Sequence, residues 1–335
     1  MHAIVAVVHE GGDTDGSFDE CVNPRGSIFD IERRLDAAID VVLSAHTHRG
    51  YNCRIGTRTV IQAASFGRLV SVVDLVIDRA TGDVIAAQTR ARNLPVPNGG
   101  ERDSLLSTAF PPLPADPAVA AIVEHYRAAA APLAEQPVGR ISAPFERRPD
   151  PGGDHALGRL IADAHLAATR ASGAQIAFTN PGGIRTSLRA SGADGAVTYA
   201  DAYSAQPFGN SLVTMTLTGA ELRQLLEQQW SATRERARIL QPSAGLRYRW
   251  DDRRPIGNRV DGIELNRRPL QPEDRVRVSV NSFLAAGGDG FRVLRDGRER
   301  VGGPLDIDAF TQFLRAESAA GPLAPDLTPR IQRAD

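Results

Sequence analysis

Asp40-Val41-Val42-Leu43-Ser44-Ala45-His46-Thr47-His48 decides how the front of this chain is read. Val41-Val42-Leu43 has the length and β-branched character of a buried strand, and it ends in small residues followed by two histidines one residue apart. Imidazoles so spaced at a strand's exit can offer neutral nitrogens to one cation, or to two held close together. A His-x-His pair is equally a polar turn facing water, and spacing alone leaves both readings open. Upstream, Ala3-Ile4-Val5-Ala6-Val7-Val8 is a second strand-like run, leading into His9-Glu10-Gly11-Gly12. Two strands, each ending in histidine, would bring His9, His46 and His48 together at the carboxyl edge of one sheet. A parallel strand buried on both faces needs neighbours, so the expectation is that the beginning of a domain precedes Met1.

Working outward, Ile28, Ile31, Leu35 and Ile39 keep a rough helical period, Gln62 to Gly67 is a small-residue loop, and Leu69 to Ile77 reads as a strand. Six prolines and a Gly-Gly pair between Arg92 and Pro117 break the periodicity. Residues 1–92 and 118–330 are therefore read as two domains and 93–117 as a linker, in keeping with 335 residues at roughly 150 per domain. Ala118 to Ala131 is a helix with Val119, Ile122, Val123 and Tyr126 on one side, and Leu157 to Ala168 is another. Strands follow at Gln175 to Thr179, Leu212 to Leu217, Leu246 to Trp250, Val260 to Leu265 and Val276 to Val280, with a capping box at Thr218-Gly219-Ala220-Glu221. The class is mixed α/β.

Composition excludes several functions. With 42% hydrophobic and 24% charged residues the chain is of the soluble globular kind, and a net charge of −1 argues against general affinity for nucleic acid. No apolar run reaches the roughly 18 residues of a membrane span, and the N-terminus lacks the basic flank and cleavage site of a signal peptide. Cys21 and Cys53 flank the His-x-His segment and are read either as small buried thiols or as a disulfide.

Chemistry in the second half concentrates in loops. Asn180-Pro181-Gly182-Gly183-Ile184-Arg185 joins glycines that let a ligand approach the backbone to a guanidinium able to grip an anion. Gln206-Pro207-Phe208-Gly209-Asn210 sets a phenylalanine beside a glycine, and Phe283 stands six positions before Asp289. Two rings and a carboxylate suit a nucleoside, the rings stacking on the base and the acid accepting from ribose hydroxyls. Each loop taken alone is also a tight turn or a piece of core.

In this order the segments resemble the 5'-nucleotidase family, in which a two-metal metallophosphoesterase domain precedes a nucleotide-binding α/β domain. The resemblance runs from Ile4 to Gly12, through Ala45 to His48, to Asn180–Arg185, Pro207–Asn210 and Asn281–Phe291. It implies the back portion of a metallophosphoesterase sandwich over residues 1–92 and a complete 5'-nucleotidase C-terminal domain over 118–330. It implies His9 and His46 as ligands of one divalent cation, such as zinc or manganese, and His48 as a ligand of its neighbour. It also implies Arg185 on the phosphate, Asn180 in the pocket, Phe208 and Phe283 clamping the base, and Asp289 on the ribose. The family is commonly exported, so an extracellular or cell-envelope protein with a Cys21–Cys53 disulfide is expected.

Departures from the pattern matter as much. The family's Asp-x-His, Gly-Asp and Gly-Asn-His-(Asp/Glu) motifs, which supply the bridging carboxylate and the histidine that assists the transition state, do not occur here. No catalytic set is complete. The family's first substrate arginine is also missing, with Gly153 at its place and Arg147 and Arg148 nearby. The resemblance thus implies a metal-dependent phosphohydrolase of nucleoside monophosphates whose present chain is inactive by itself. The alternatives are a non-catalytic nucleotide-binding protein, or a cyclic-nucleotide or UDP-sugar hydrolase of the same architecture.

Overall fold

The computed structural model describes residues 2–97, 110–231 and 237–334, and its chain divides into two compact units, Met1–Ala121 and Ile122–Asp335. In the first, β1 (Val5–Val7), β2 (Val41–Leu43), β3 (Gly50–Ile55) and β4 (Arg58–Ala63) form a sheet in the order β1-β2-β4-β3. β1, β2 and β4 run parallel, with Val5 opposite Val41 and Val41 opposite Thr59. β3 turns into β4 through Gly56, whose φ of 60° suits the tight connection. Val42 and Val60 are buried with Ile28 and Phe29 of α1 (Ser27–Glu32) and with Tyr51 and Cys53, which gives the unit its core. β5 (Leu69–Asp74) and β6 (Arg90–Pro95) make a separate antiparallel pair.

Two local expectations change here. The helical period from Ile28 to Ile39 yields a helix only to Glu32. Buried Arg58 donates to the carbonyls of Glu32, Asp36 and Ile39 and pairs with the Glu32 carboxylate at 2.8 Å, so the turns after the helix are satisfied without helical bonds. Gln62 and Ala63, read as loop, complete β4. β6 also extends to Pro95, inside the stretch read as linker, and 98–109 lie outside the described residues.

α2 (Pro117–Ala134) crosses the division between the units and buries no residue; Val119, Ile122, Val123 and Tyr126 are all about half exposed or more. The second unit continues with β7 (Pro137–Arg140), α3 (Ala156–Thr169), β8 (Ile176–Thr179), β9 (Ala196–Thr198), α4 (Tyr199–Ala205), β10 (Ser211–Thr218) and α5 (Gly219–Glu227). Then come β11 (Gln241–Pro242), β12 (Leu246–Trp250), β13 (Val260–Leu265), β14 (Arg268–Pro269), β15 (Arg275–Asn281), α6 (Ser282–Ala285), β16 (Arg298–Leu305), α7 (Asp306–Glu317) and β17 (Ile331–Arg333). Its main sheet has the order β11-β8-β15-β10-β16, with β8 parallel to β15 and β10 antiparallel to β15.

Alternation along these strands sends Ile176, Phe178, Met215, Leu217, Val276, Val278 and Val280 into one core with α5 and with Trp230 and Trp250. A second core gathers α3, α4 and α7 around Leu157, Ile161, Ile184, Phe310 and Leu314. The Thr218–Glu221 capping box is formed, fixing the start of α5.

Candidate functional site

In the first unit, the loops after β1 and β2 are locked together. The Thr47 hydroxyl donates to the Gly12 carbonyl at 2.7 Å and Ala45 N–H to the Glu10 carbonyl at 3.0 Å. A side chain at Gly11 would begin 2.1 Å from the Ala45 carbonyl oxygen, so only glycine lets the loops close. His46 and His48 both hold left-handed backbone, at φ 68° and 58°, a conformation that costs a non-glycine residue roughly 1 kcal/mol or more and that clusters at functional loops.

The result places His9 Nε2 3.4 Å from His46 Nδ1. Two nitrogens each about 2.0–2.1 Å from one zinc ion would stand at this separation, so the pair fits two ligands of one cation. The His48 ring packs edge-on against Phe66, with centroids 5.5 Å apart. Among the described residues no group of three or more His, Cys, Asp or Glu side chains is placed to hold a metal ion, so the residues present do not complete a two-metal centre. Cys21 is bonded to Cys53, tying the loop after β1 to β3 with a Cα–Cα distance of 4.9 Å.

In the second unit the predicted residues gather at one edge of the main sheet, where parallel strands β8 and β15 end and antiparallel β10 begins. Asn180 follows β8, Asn281 ends β15 and stands opposite Leu212, and Phe208 and Phe283 flank these strand ends. The Ser282 hydroxyl reaches Asn210 Oδ1 at 3.5 Å, joining the loops that carry the two phenylalanines. Buried amides form a polar chain behind them. Asn281 Nδ2 donates to Asn180 Oδ1 at 3.1 Å, Asn180 Nδ2 to Asp289 Oδ2 at 2.7 Å, and Arg238 Nη1 to Asp289 Oδ1 at 2.8 Å. Phe208 and Phe283 stay exposed by 53% and 43%, a state unusual for large rings unless something covers them in use. The Arg185 guanidinium lies over the Phe208 ring, 5.7 Å from its centroid, and Arg185 Nη1 donates to the Gly182 carbonyl at 3.3 Å.

Glycine at position 153 has a structural cause. Its φ is 89°, and a Cβ there would meet Ile239 Cγ1 at 2.8 Å, so an arginine does not fit. Arg147 lies near Arg185 instead: Phe145 pairs with Leu188, Arg147 N–H donates to the Ser187 hydroxyl at 3.0 Å, and partial burial followed by the charge of Arg185 lowers the Arg147 pKa. His155 caps α3, its Nδ1 accepting from Gly158 N–H at 3.0 Å; burial, then the charges of Arg147 and Arg159, push its pKa down to about 4. Arg238 and Asn281 were not singled out by sequence reasoning. Asn281 stood inside a quoted motif, whereas Arg238 belongs to an arginine-rich stretch with no spacing to mark it. A polar cleft lined by Gly245, Arg247, Glu264, Asn266 and Arg267 lies elsewhere on this unit and contains none of the predicted residues.

Residues 136–296 match the family described as "5'-nucleotidase, C-terminal domain". Endonuclease YhcR of Bacillus subtilis (strain 168) is 28% identical over 94% of this chain, which covers 24% of that protein. A 5'-nucleotidase-related protein of Glossina morsitans morsitans is 32% identical over 58% of the chain and 37% of its own length. Among solved structures, a 5'-nucleotidase precursor from Thermus thermophilus superposes with a TM-score of 0.63 at 29% identity, covering 89% of this chain and 60% of that one. The chain thus spans about a quarter to three fifths of the length of these proteins.

Proposed function

We propose, for a chain whose residues 136–296 match the 5'-nucleotidase C-terminal domain, the binding of a nucleoside monophosphate in a phosphohydrolase of that family. The observation that carries the reading is the convergence, at one sheet edge, of exposed Phe208 and Phe283, the Arg185 guanidinium and the Asn180–Asp289 pair. In this reading the base lies against the phenyl rings, Asp289 accepts from ribose hydroxyls, and Arg185, joined by Arg147, binds the phosphate. The ring face of Phe208 turned from Arg185 is the one left for the base.

His9 and His46 would hold one divalent cation, which supplies charge to a phosphoryl oxygen or a bound water when present. No carboxylate joins them among the described residues, and no reaction step is assigned to them. The chain by itself is therefore expected to bind nucleotides and to release no phosphate from AMP with zinc or manganese added. Phosphate release that His46→Ala abolishes would overturn that expectation. The Cys21–Cys53 bond supports a place in an oxidising compartment, outside the cytosol. A nucleic-acid substrate is not carried over from the Bacillus endonuclease, since the match covers 24% of that protein and this chain has a net charge of −1.

The test is titration of the purified chain with adenosine and AMP. Saturable binding that Phe208→Ala weakens supports the reading; no binding of either, by a chain shown to be folded, defeats it.

A further inference from the structure

Asp289 is held in an unusual way. It has left-handed backbone, φ 57°, between Gly288 and Gly290, and its carboxylate is gripped from two directions: one oxygen accepts from Asn180 at 2.7 Å and the other from Arg238 at 2.8 Å. Asp289 is only 12% exposed at its side chain and Arg238 38%, so the ion pair faces solvent through the arginine. Arg238 is not a loose surface side chain. Its N–H donates to the Gln229 carbonyl at 2.9 Å, and Gln229, fully buried, also accepts Leu240 N–H at 2.7 Å and the Tyr248 hydroxyl at 3.0 Å through Oε1. The core therefore fixes where the guanidinium starts.

We infer that Arg238 is a specificity-determining residue at the sugar end of the site, selecting ribonucleosides that keep both ring hydroxyls. This rests on the reading that Asp289 meets the ribose. A carboxylate can only accept hydrogen bonds, whereas a guanidinium carries five N–H donors and can only donate. Side by side, the two groups read a vicinal diol in both directions: each hydroxyl gives its proton to Asp289 and takes an N–H from Arg238. Donors on both oxygens of Asp289 also fix the plane in which the diol must arrive. A sugar without these hydroxyls forfeits its hydrogen bonds to both groups, and sites built to bond a hydroxyl reject the analogue strongly.

The experiment measures dissociation constants of the full chain for adenosine and 2',3'-dideoxyadenosine by calorimetry, in the unaltered protein, Arg238→Gln and Arg238→Lys. The unaltered chain should prefer adenosine by about tenfold or more, the ratio expected from one charge-assisted hydrogen bond. Arg238→Gln should reduce that ratio to about threefold or less while dideoxyadenosine still binds within about twofold of its original affinity, since stacking is untouched. Arg238→Lys, which keeps the charge but loses the planar fork, should fall between. An unchanged ratio in Arg238→Gln overturns the inference and leaves the nucleotide reading standing. Failure of the unaltered chain to bind either nucleoside overturns both. Should Arg238→Gln lose dideoxyadenosine as well, Arg238→Lys decides: a narrowed ratio supports the inference and an unchanged one overturns it.

Discussion

At the scale of single residues, the left-handed glycine at 153 separates what this pocket can hold from what its resemblance to relatives would place there. Gly153→Arg should not add a phosphate ligand. It should instead destabilise the second unit by about 2 kcal/mol or more through strained backbone and the clash with Ile239, seen as a lower thermal midpoint without tighter AMP binding. Phe208→Ala and Phe283→Ala should each weaken adenosine binding by roughly five- to 150-fold, the range of about 1–3 kcal/mol for one base–ring stack, with little change in stability because both rings are already exposed. His165 makes a third case. Fully buried on α3 and 3.0 Å from Gln206 Nε2, it has its pKa pushed by burial to about 4, as does His155. The unfolded chain then binds more protons than the folded one between about pH 6.5 and 4, so stability is full above pH 6.5 and falls as pH drops through this window. Thermal midpoints across pH 4–7 should show that slope, and His165→Gln should flatten it. Asn180 and Asp289 were legible as candidates because they sit in short loops with glycines; Arg238 was not, because it joins them only through a contact 51 positions along the chain.

At the scale of elements, sequence legibility followed burial. β2, β12 and β13 end where their apolar patterns end, since each side chain's face is set by a core. β16 (Arg298–Leu305) went unread, because an edge strand of charged residues and glycines has no apolar period to display. α1 stops early for a reason no local pattern contains: a buried arginine from β4, 26 positions from Glu32, supplies the hydrogen bonds a longer helix would have made. The disulfide is a further such long-range tie. It closes a loop with a sequence separation of 32, for which chain entropy predicts about 3–4 kcal/mol of stabilisation of the first unit. Both tryptophans lie in the second unit, so reductant should bring forward the loss of far-UV circular dichroism from the first unit while the tryptophan fluorescence transition stays in place. Coincident shifts of both signals would contradict this.

For the molecule as a whole, mixed α/β organisation followed from the order of patterns along the chain, and the parting of the histidine loops from the loops that carry Phe208 and Phe283 into separate units follows the order of the motifs. Strand pairing was not legible, because β1, β2 and β4 are brought side by side only by the fold. β1 stands at the margin of its sheet with Val5 45% and Val7 80% exposed, a hydrogen-bonding ribbon dressed in branched hydrocarbon. Such a margin is adhesive. Concentrated solutions of this chain should scatter light increasingly with protein concentration, and a lone ammonium group introduced as Val7→Lys should restore their clarity.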